Sequence, residues 1–133
     1  MATPTKIEYS ETNVFQKDLK RLLKKFGTLK EDLETVKRNA IELYHLKNMD
    51  NRSVFPIPDF CNDEIKIFKV KKFACKALKG SGVISGIRVI YAFYPSTFKV
   101  DFIEIYYKGE KNNEDFVRIK EYLKNHGSTY HSK

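Results

Sequence analysis

Tryptophan is absent from the 133 residues, and cysteine, proline and glycine are scarce, with two, four and six copies. The two cysteines, Cys61 and Cys75, are too few for a disulfide framework. They have neither a C-x-x-C spacing nor flanking histidines, so they do not indicate a zinc site. The three histidines are scattered along the chain. We therefore expect no metal and no cofactor.

Long apolar runs are missing as well, since none approaches the length needed to cross a bilayer. The amino terminus "MATPTKIEYS" lacks the basic start and apolar stretch of a signal peptide. These absences predict a cytoplasmic protein with no membrane partner. The glycines of "GSGVISG" lack the G-K-[ST] ending of a P-loop, which predicts a hairpin turn and not a phosphate-binding loop.

The residues that are present predict a folded domain. Hydrophobic residues make up 41% of the chain, and ten phenylalanines and eight tyrosines argue against disorder although 32% of residues are charged. The length fits one domain, residues 1–133, with a flexible tail at 128–133.

The net charge of +8 is concentrated in one part of the sequence. Between residues 65 and 90 there are seven basic residues and no acidic one: Lys66, Lys69, Lys71, Lys72, Lys76, Lys79 and Arg88. A basic segment of this kind favours a polyanionic partner, because each phosphate it neutralises releases counterions. A solvated lysine-rich sheet face is the other interpretation.

Apolar periodicity predicts a strand, two helices, three strands and a last helix. "TKIEYS" suits a short strand, and residues 12–26 carry large apolar side chains at helical spacing. Thr28, with Glu31 three residues later, is a capping-box pattern that starts a second helix reaching residue 44. Residues 47–64 show no sustained period and predict a loop. The last helix, in "NNEDFVRIKEYLKNHG", is expected to be capped by Asn112 or Asn113.

This order predicts an α+β domain: an antiparallel sheet with an N-terminal helical hairpin and a C-terminal helix. The helices are expected on one face of the sheet, and the other face should be open and basic. The alternation along the first of the three strands places Lys69 and Lys71 on one face, roughly 6.5 Å apart.

One arginine interrupts an apolar strand in "SGIRVIYAFY", residues 85–94. Burying a guanidinium without a partner would cost several kcal/mol. Its parity places Arg88 away from the helices, so that Lys69, Lys71, Arg88 and Lys108 could gather on the open face. Four cations gathered there would repel one another, and a phosphate-bearing ligand would relieve that repulsion. In the other interpretation, Arg88 pairs with Glu104 across the strands and the lysines only face solvent.

The run from "IFKVKKFACKALKG" through "SGIRVIYAFY" to "FIEIYYKGEKNNED" resembles the RelE/ParE superfamily of toxins from toxin–antitoxin systems. The most specific part is the G-x-R-x-x-Y strand, followed by a strand that ends in a lysine and then by an acidic, polar helix start. The resemblance covers most of the chain, from Lys6 to about residue 125.

The resemblance implies a RelE-like, metal-independent endoribonuclease that cuts messenger RNA, in many relatives on the ribosome, and that an antitoxin protein neutralises. Arg88 would hold the scissile phosphate, and Lys69 or Lys71 would act as general base. The catalytic set is then Lys69, Lys71, Arg88 and Lys108, with substrate contacts from Lys72, Lys111 and Tyr106.

One position departs from the relatives, several of which place a tyrosine in the last helix or a histidine near the carboxyl terminus for proton transfer. Phe116 stands at the helix position here, and Tyr106, Tyr130 or His131 would have to substitute. Two alternatives therefore stay open: a ParE-like toxin that inhibits DNA gyrase, and a catalytically inactive relative that only binds nucleic acid.

Overall fold

The computed structural model describes residues 5–50, 52–71 and 86–126. Within them the chain forms β1 (Glu8–Glu11), α1 (Asn13–Leu23), α2 (Leu29–Val36), a π-helical turn (Lys37–Ile41), α3 (Glu42–Leu46), β2 (Val54–Pro56), a 3-10 turn (Pro58–Phe60), β3 (Lys66–Val70), β4 (Ile87–Tyr94), β5 (Lys99–Tyr107) and α4 (Phe116–His126). The α+β class is confirmed. The predicted glycine-rich turn, apart from Gly86, and the tail 128–133 lie outside the described residues.

The strands form one mixed sheet in the order β1-β5-β4-β3-β2, and the prediction of an antiparallel sheet is wrong at one pair. β1 lies parallel to β5, while the other neighbours are antiparallel. The helices and three strands separate β1 from β5 along the chain, so no hairpin dictates their relative direction. The predicted loop at 47–64 also contains β2, whose three residues at the sheet edge are too few to show a period.

The helices α1 to α3 cover the first face of the sheet. Phe15, Leu19 and Leu22 are buried there against β4 and β5 side chains. Thr12 fixes the start of α1, because its Oγ1 accepts a hydrogen bond from Phe15 N at 3.2 Å and donates one to Phe102 O at 3.0 Å. The predicted capping box at Thr28 is wrong: its side chain makes no capping hydrogen bond to α2, and its hydroxyl donates to Asp32.

The helix α4 packs on the second face, so the prediction of an open face is wrong over this region. The buried side chains here come from the sheet and from α4: Ile67, Ile90, Ala92, Ile103, Ile119, Tyr122 and Leu123. Apolar strand residues on that face favour a covering helix, because removing them from water is favourable. Asp115 caps this helix by accepting from Arg118 N at 3.1 Å, and the predicted Asn112 or Asn113 does not.

No helix in the described ranges is long and apolar enough to span a membrane.

Candidate nucleic-acid interface

The predicted site residues meet at one end of the second face, where β3 and β5 end and β4 begins. Gly86 precedes β4 with φ at +86°, in the left-handed region that favours glycine, and its carbonyl accepts from Lys108 N at 2.8 Å. That bond closes the β4–β5 pair at this end. We call this region the basic end and define it by Lys69, Lys71, Arg88, Tyr106, Lys108 and Lys111.

Arg88 is half-buried, on the face predicted from strand parity, and lies opposite Tyr106 in the β4–β5 register. Its Nη1 donates to Lys71 O at 3.1 Å and to Ile87 O at 3.3 Å. Among the described residues no carboxylate lies within ion-pair distance of it. The guanidinium is therefore positioned by backbone carbonyls, with further N–H donors to offer a ligand.

The predicted alternative partner, Glu104, does not reach Arg88. In the register Glu104 faces Ile90, two pairs further along the strand than Arg88 and Tyr106. It is buried at 1% exposure and forms an ion pair with Lys111, while its Oε1 accepts from Asp115 N at 2.9 Å. Through these two contacts Glu104, on β5, binds the segment that precedes α4. The interpretation that Glu104 neutralises Arg88 is therefore wrong.

Lys69 also has a carboxylate partner, because its Nζ donates to Glu114 Oε1 at 2.7 Å. Tyr106 donates to the same oxygen at 3.2 Å. Burial raises the pKa of Glu114. The hydrogen bond from Lys69, the hydrogen bond from the Glu114 amide, the Lys69 charge and the hydrogen bond from Tyr106 together outweigh burial, so the net pKa is lowered. Burial, followed by the nearby Glu114 charge, raises the pKa of Tyr106, which stays protonated.

The remaining site residues have different surroundings. Lys71 is exposed, and its Nζ lies 4.6 Å from the ring centre of Phe55. Lys108 is exposed just beyond β5. Tyr106 is buried at 2% exposure, so its ring is not open for a base to stack on. Lys72, Tyr130 and His131 lie outside the described residues.

The basic end therefore combines five cations with two carboxylates, where the sequence predicted cations without enforced carboxylate neighbours. Lys69 and Lys111 are ion-paired, while Arg88, Lys71 and Lys108 lack a carboxylate partner among the residues described here. Excess positive charge is thus centred on Arg88 and its neighbour Lys71. This arrangement can bind a phosphate and stabilise negative charge that develops on it.

A metal site finds no support in the described ranges, where no group of three or more histidine, cysteine, aspartate or glutamate side chains is arranged to hold an ion.

Sequence reasoning missed the roles of Glu104 and Glu114. From the sequence, Glu104 is expected only as a partner of Arg88, and Glu114 belongs to the acidic, polar helix start. The alternation in "FIEIYY" does place Glu104 on the face of Tyr106, but the contact between Glu114 and Lys69 spans 45 residues of chain and leaves no local pattern.

Comparison of the chain with known protein families, with curated proteins and with solved structures finds no significant match in any of the three.

Proposed function

We propose that this protein is a RelE-like toxin: an endoribonuclease that cuts messenger RNA without a metal ion and that an antitoxin neutralises. The observation that carries the proposal is Arg88, a half-buried guanidinium held by two carbonyls and without a carboxylate partner among the described residues. A charge in such a place costs free energy unless a ligand compensates it. A phosphate diester supplies that compensation, because its oxygens accept paired N–H donors.

The chemistry follows from the charge distribution. When a ribose 2′-hydroxyl attacks the adjacent phosphate, negative charge grows on the phosphoryl oxygens. Arg88, Lys71 and Lys108 are the cations available to stabilise it, because none of them is neutralised by a described carboxylate. Removal of one such group typically slows a reaction about a hundredfold or more.

Binding without cleavage is the second candidate, and a specific observation favours it. Lys69, one of the expected catalytic lysines, is already bound to Glu114, and Lys111 to Glu104. Two of the five cations are thus partly neutralised within the protein. A module that only binds RNA through Arg88, Lys71 and Lys108 would need no more than this.

The test is cleavage of end-labelled messenger RNA by the purified protein in EDTA, with and without translating ribosomes. Arg88→Ala is compared with the wild type and with Arg38→Ala, which removes an exposed arginine of the π-helical turn. We expect defined cuts from the wild type and from Arg38→Ala, and at least a hundredfold slower cutting by Arg88→Ala.

Two results would contradict the proposal. Equal cutting by Arg88→Ala and the wild type would remove Arg88 from the mechanism. Uncut RNA under both conditions would leave the binding module or the gyrase inhibitor. These two are separated by measuring RNA affinity and gyrase supercoiling with the same preparations.

A further inference from the structure

Glu114 is the second carboxylate at the basic end, and its backbone hydrogen bond comes from its own amide. Its Oε1 accepts from Lys69 at 2.7 Å and from Tyr106 at 3.2 Å, and neither of these donors engages its other oxygen. Glu104 is bound to the amide of Asp115 as well as to Lys111. The side chain of Glu114 is 9% exposed, against 2% for Glu104, so Glu114 is the more accessible of the two.

The surrounding strands place Glu114 and Arg88 on the same face of the sheet. Tyr106 is the cross-strand neighbour of Arg88, and the side chains of such pairs stand about 5 Å apart at their β-carbons. The hydroxyl of Tyr106 reaches Glu114. A phosphate bound by Arg88 thus lies on the same face as the Glu114 carboxylate, with Tyr106 between them.

The residues around Glu114 are hydrogen-bond donors, which leaves the carboxylate as the proton acceptor among them. Tyr106 keeps its proton, because burial and the Glu114 charge raise its pKa, and it serves as a donor. Lys69 donates to the carboxylate as well. The lowered pKa of Glu114 keeps it ionised at neutral pH, so it is the group here that can accept a proton.

We infer that Glu114 is the general base of the reaction, positioned by Lys69 and Tyr106. The inference rests on the proposed ribonuclease function, and it moves the base from the lysines expected from the sequence to this carboxylate. Lys69 becomes a positioning residue, which holds the carboxylate next to the substrate.

The step balances without any further reactant. Glu114 takes the proton of the 2′-hydroxyl, the 2′ oxygen forms a bond to phosphorus, and the bond from phosphorus to the 5′ oxygen breaks. The departing 5′ oxygen takes a proton from water, and the resulting hydroxide removes the proton from Glu114. The products are a 2′,3′-cyclic phosphate and a 5′-hydroxyl, and the carboxylate is regenerated.

The first test compares Glu114→Gln with the wild type and with Glu110→Gln. Glutamine keeps an acceptor for Lys69 but cannot take the proton. Glu110 is a surface carboxylate bound to Arg21 and Lys25, so its variant matches the change in charge. We expect Glu114→Gln to cut RNA a hundredfold to ten-thousandfold more slowly and Glu110→Gln to cut normally. Binding of RNA with 2′-fluoro in place of every 2′-hydroxyl should persist in both.

A second variant tests whether Glu114 acts as a general base or has only a structural role. In Glu114→His the new base would titrate near the usual histidine pKa of about 6.5. Its residual cleavage should therefore rise about tenfold per pH unit below that value, whereas wild-type cleavage should change little between pH 6 and 8. A change of fold alone would not produce such a dependence, and thermal unfolding of each variant checks for one.

The outcomes distinguish failure of the Glu114 assignment from failure of the proposed ribonuclease function. If the wild type cuts RNA and Glu114→Gln cuts as fast or faster, Glu114 is not the base and only shields Lys69. If Glu114→His shows no new pH dependence, the assignment of the base also fails. If neither the wild type nor Glu110→Gln cuts RNA, the ribonuclease function itself is refuted, and this inference with it.

Discussion

The ammonium of Lys69 lies 2.7 Å from the carboxylate of Glu114, so a cation expected to meet substrate already has a partner within the protein. Arg88, on the neighbouring strand, is held only by backbone carbonyls among the described residues. The two cations share a face but differ in what they can still bind. That difference can be measured without any cleavage.

The salt dependence of RNA binding should distinguish the two residues. Each phosphate contact to single-stranded RNA adds about 0.7 to the slope of log affinity against log salt concentration. Arg88→Ala and Lys71→Ala should each reduce that slope by about this amount. Lys69→Ala should lower the affinity, because Glu114 is left uncompensated, but should keep the wild-type slope. The measurement uses 2′-fluoro RNA over a sodium chloride series, and an equal loss of slope in all three variants would contradict it.

The sequence predicts the faces of the strands well, because a period of two is a local property. The parity of Arg88, of Lys69 and of Tyr106 is confirmed. The predicted position of α4, on the same face as the other helices, is wrong, because its apolar stripe fits either face and the apolar residues Ile90 and Ile103 on the second face decide the matter. The partner of Lys69 was missed because an ion pair between residues 45 positions apart follows from packing, not from sequence spacing.

A hydrogen-bonded chain under α4 should contribute to stability. Tyr94 donates to Tyr122 at 2.5 Å, Tyr122 donates to Asp101 Oδ2 at 2.8 Å, and Ser10 donates to the other oxygen of Asp101. Burial raises the pKa of Tyr122, and so does the bond it donates to Asp101, so it remains a donor. Tyr122→Phe removes the middle of the chain and leaves a buried carboxylate with one donor fewer.

We expect Tyr122→Phe to lower the free energy of unfolding by about 1–3 kcal/mol. Tyr94→Phe is the matched control, because it keeps the bond between Tyr122 and Asp101 and should cost less. Urea unfolding of both variants measures the difference. Equal losses in the two variants would show that the buried carboxylate does not depend on Tyr122.

The ion pair between Arg118 and Asp18 should hold α4 against α1. Arg118 Nη1 lies 2.6 Å from Asp18 Oδ2 and also donates to Ile103 O at 3.1 Å. The two side chains are only 22% and 18% exposed, so solvent screens the pair less than a surface pair. Arg118→Met leaves Asp18 without this partner.

The expected loss of unfolding free energy for Arg118→Met is about 1–3 kcal/mol, with faster amide exchange in α4. Arg21→Met is the control, because its ion pair with Glu110 is exposed and its removal should change little. If Arg118→Met exchanges like the wild type throughout α4, the ion pair does not hold this helix.

Stability should fall between about pH 6.5 and pH 4 because of His45. Its Nε2 lies 2.8 Å from the hydroxyl of Tyr91, and its ring stacks on Phe93 at 3.9 Å between centres. Burial lowers the pKa of His45 to about 4. The unfolded chain therefore binds more protons than the folded chain in this interval, and the free energy of unfolding decreases as the pH falls.

The full loss corresponds to about 3 kcal/mol, since each pKa unit is worth about 1.4 kcal/mol. His45→Gln, which keeps a polar contact for Tyr91, should remove most of the slope between pH 6.5 and pH 4, and His126→Gln, on α4, should keep it. Urea unfolding at half-unit pH steps provides the measurement. A slope that persists in His45→Gln would assign the acid sensitivity to other groups, because His126, the other histidine among the described residues, is exposed.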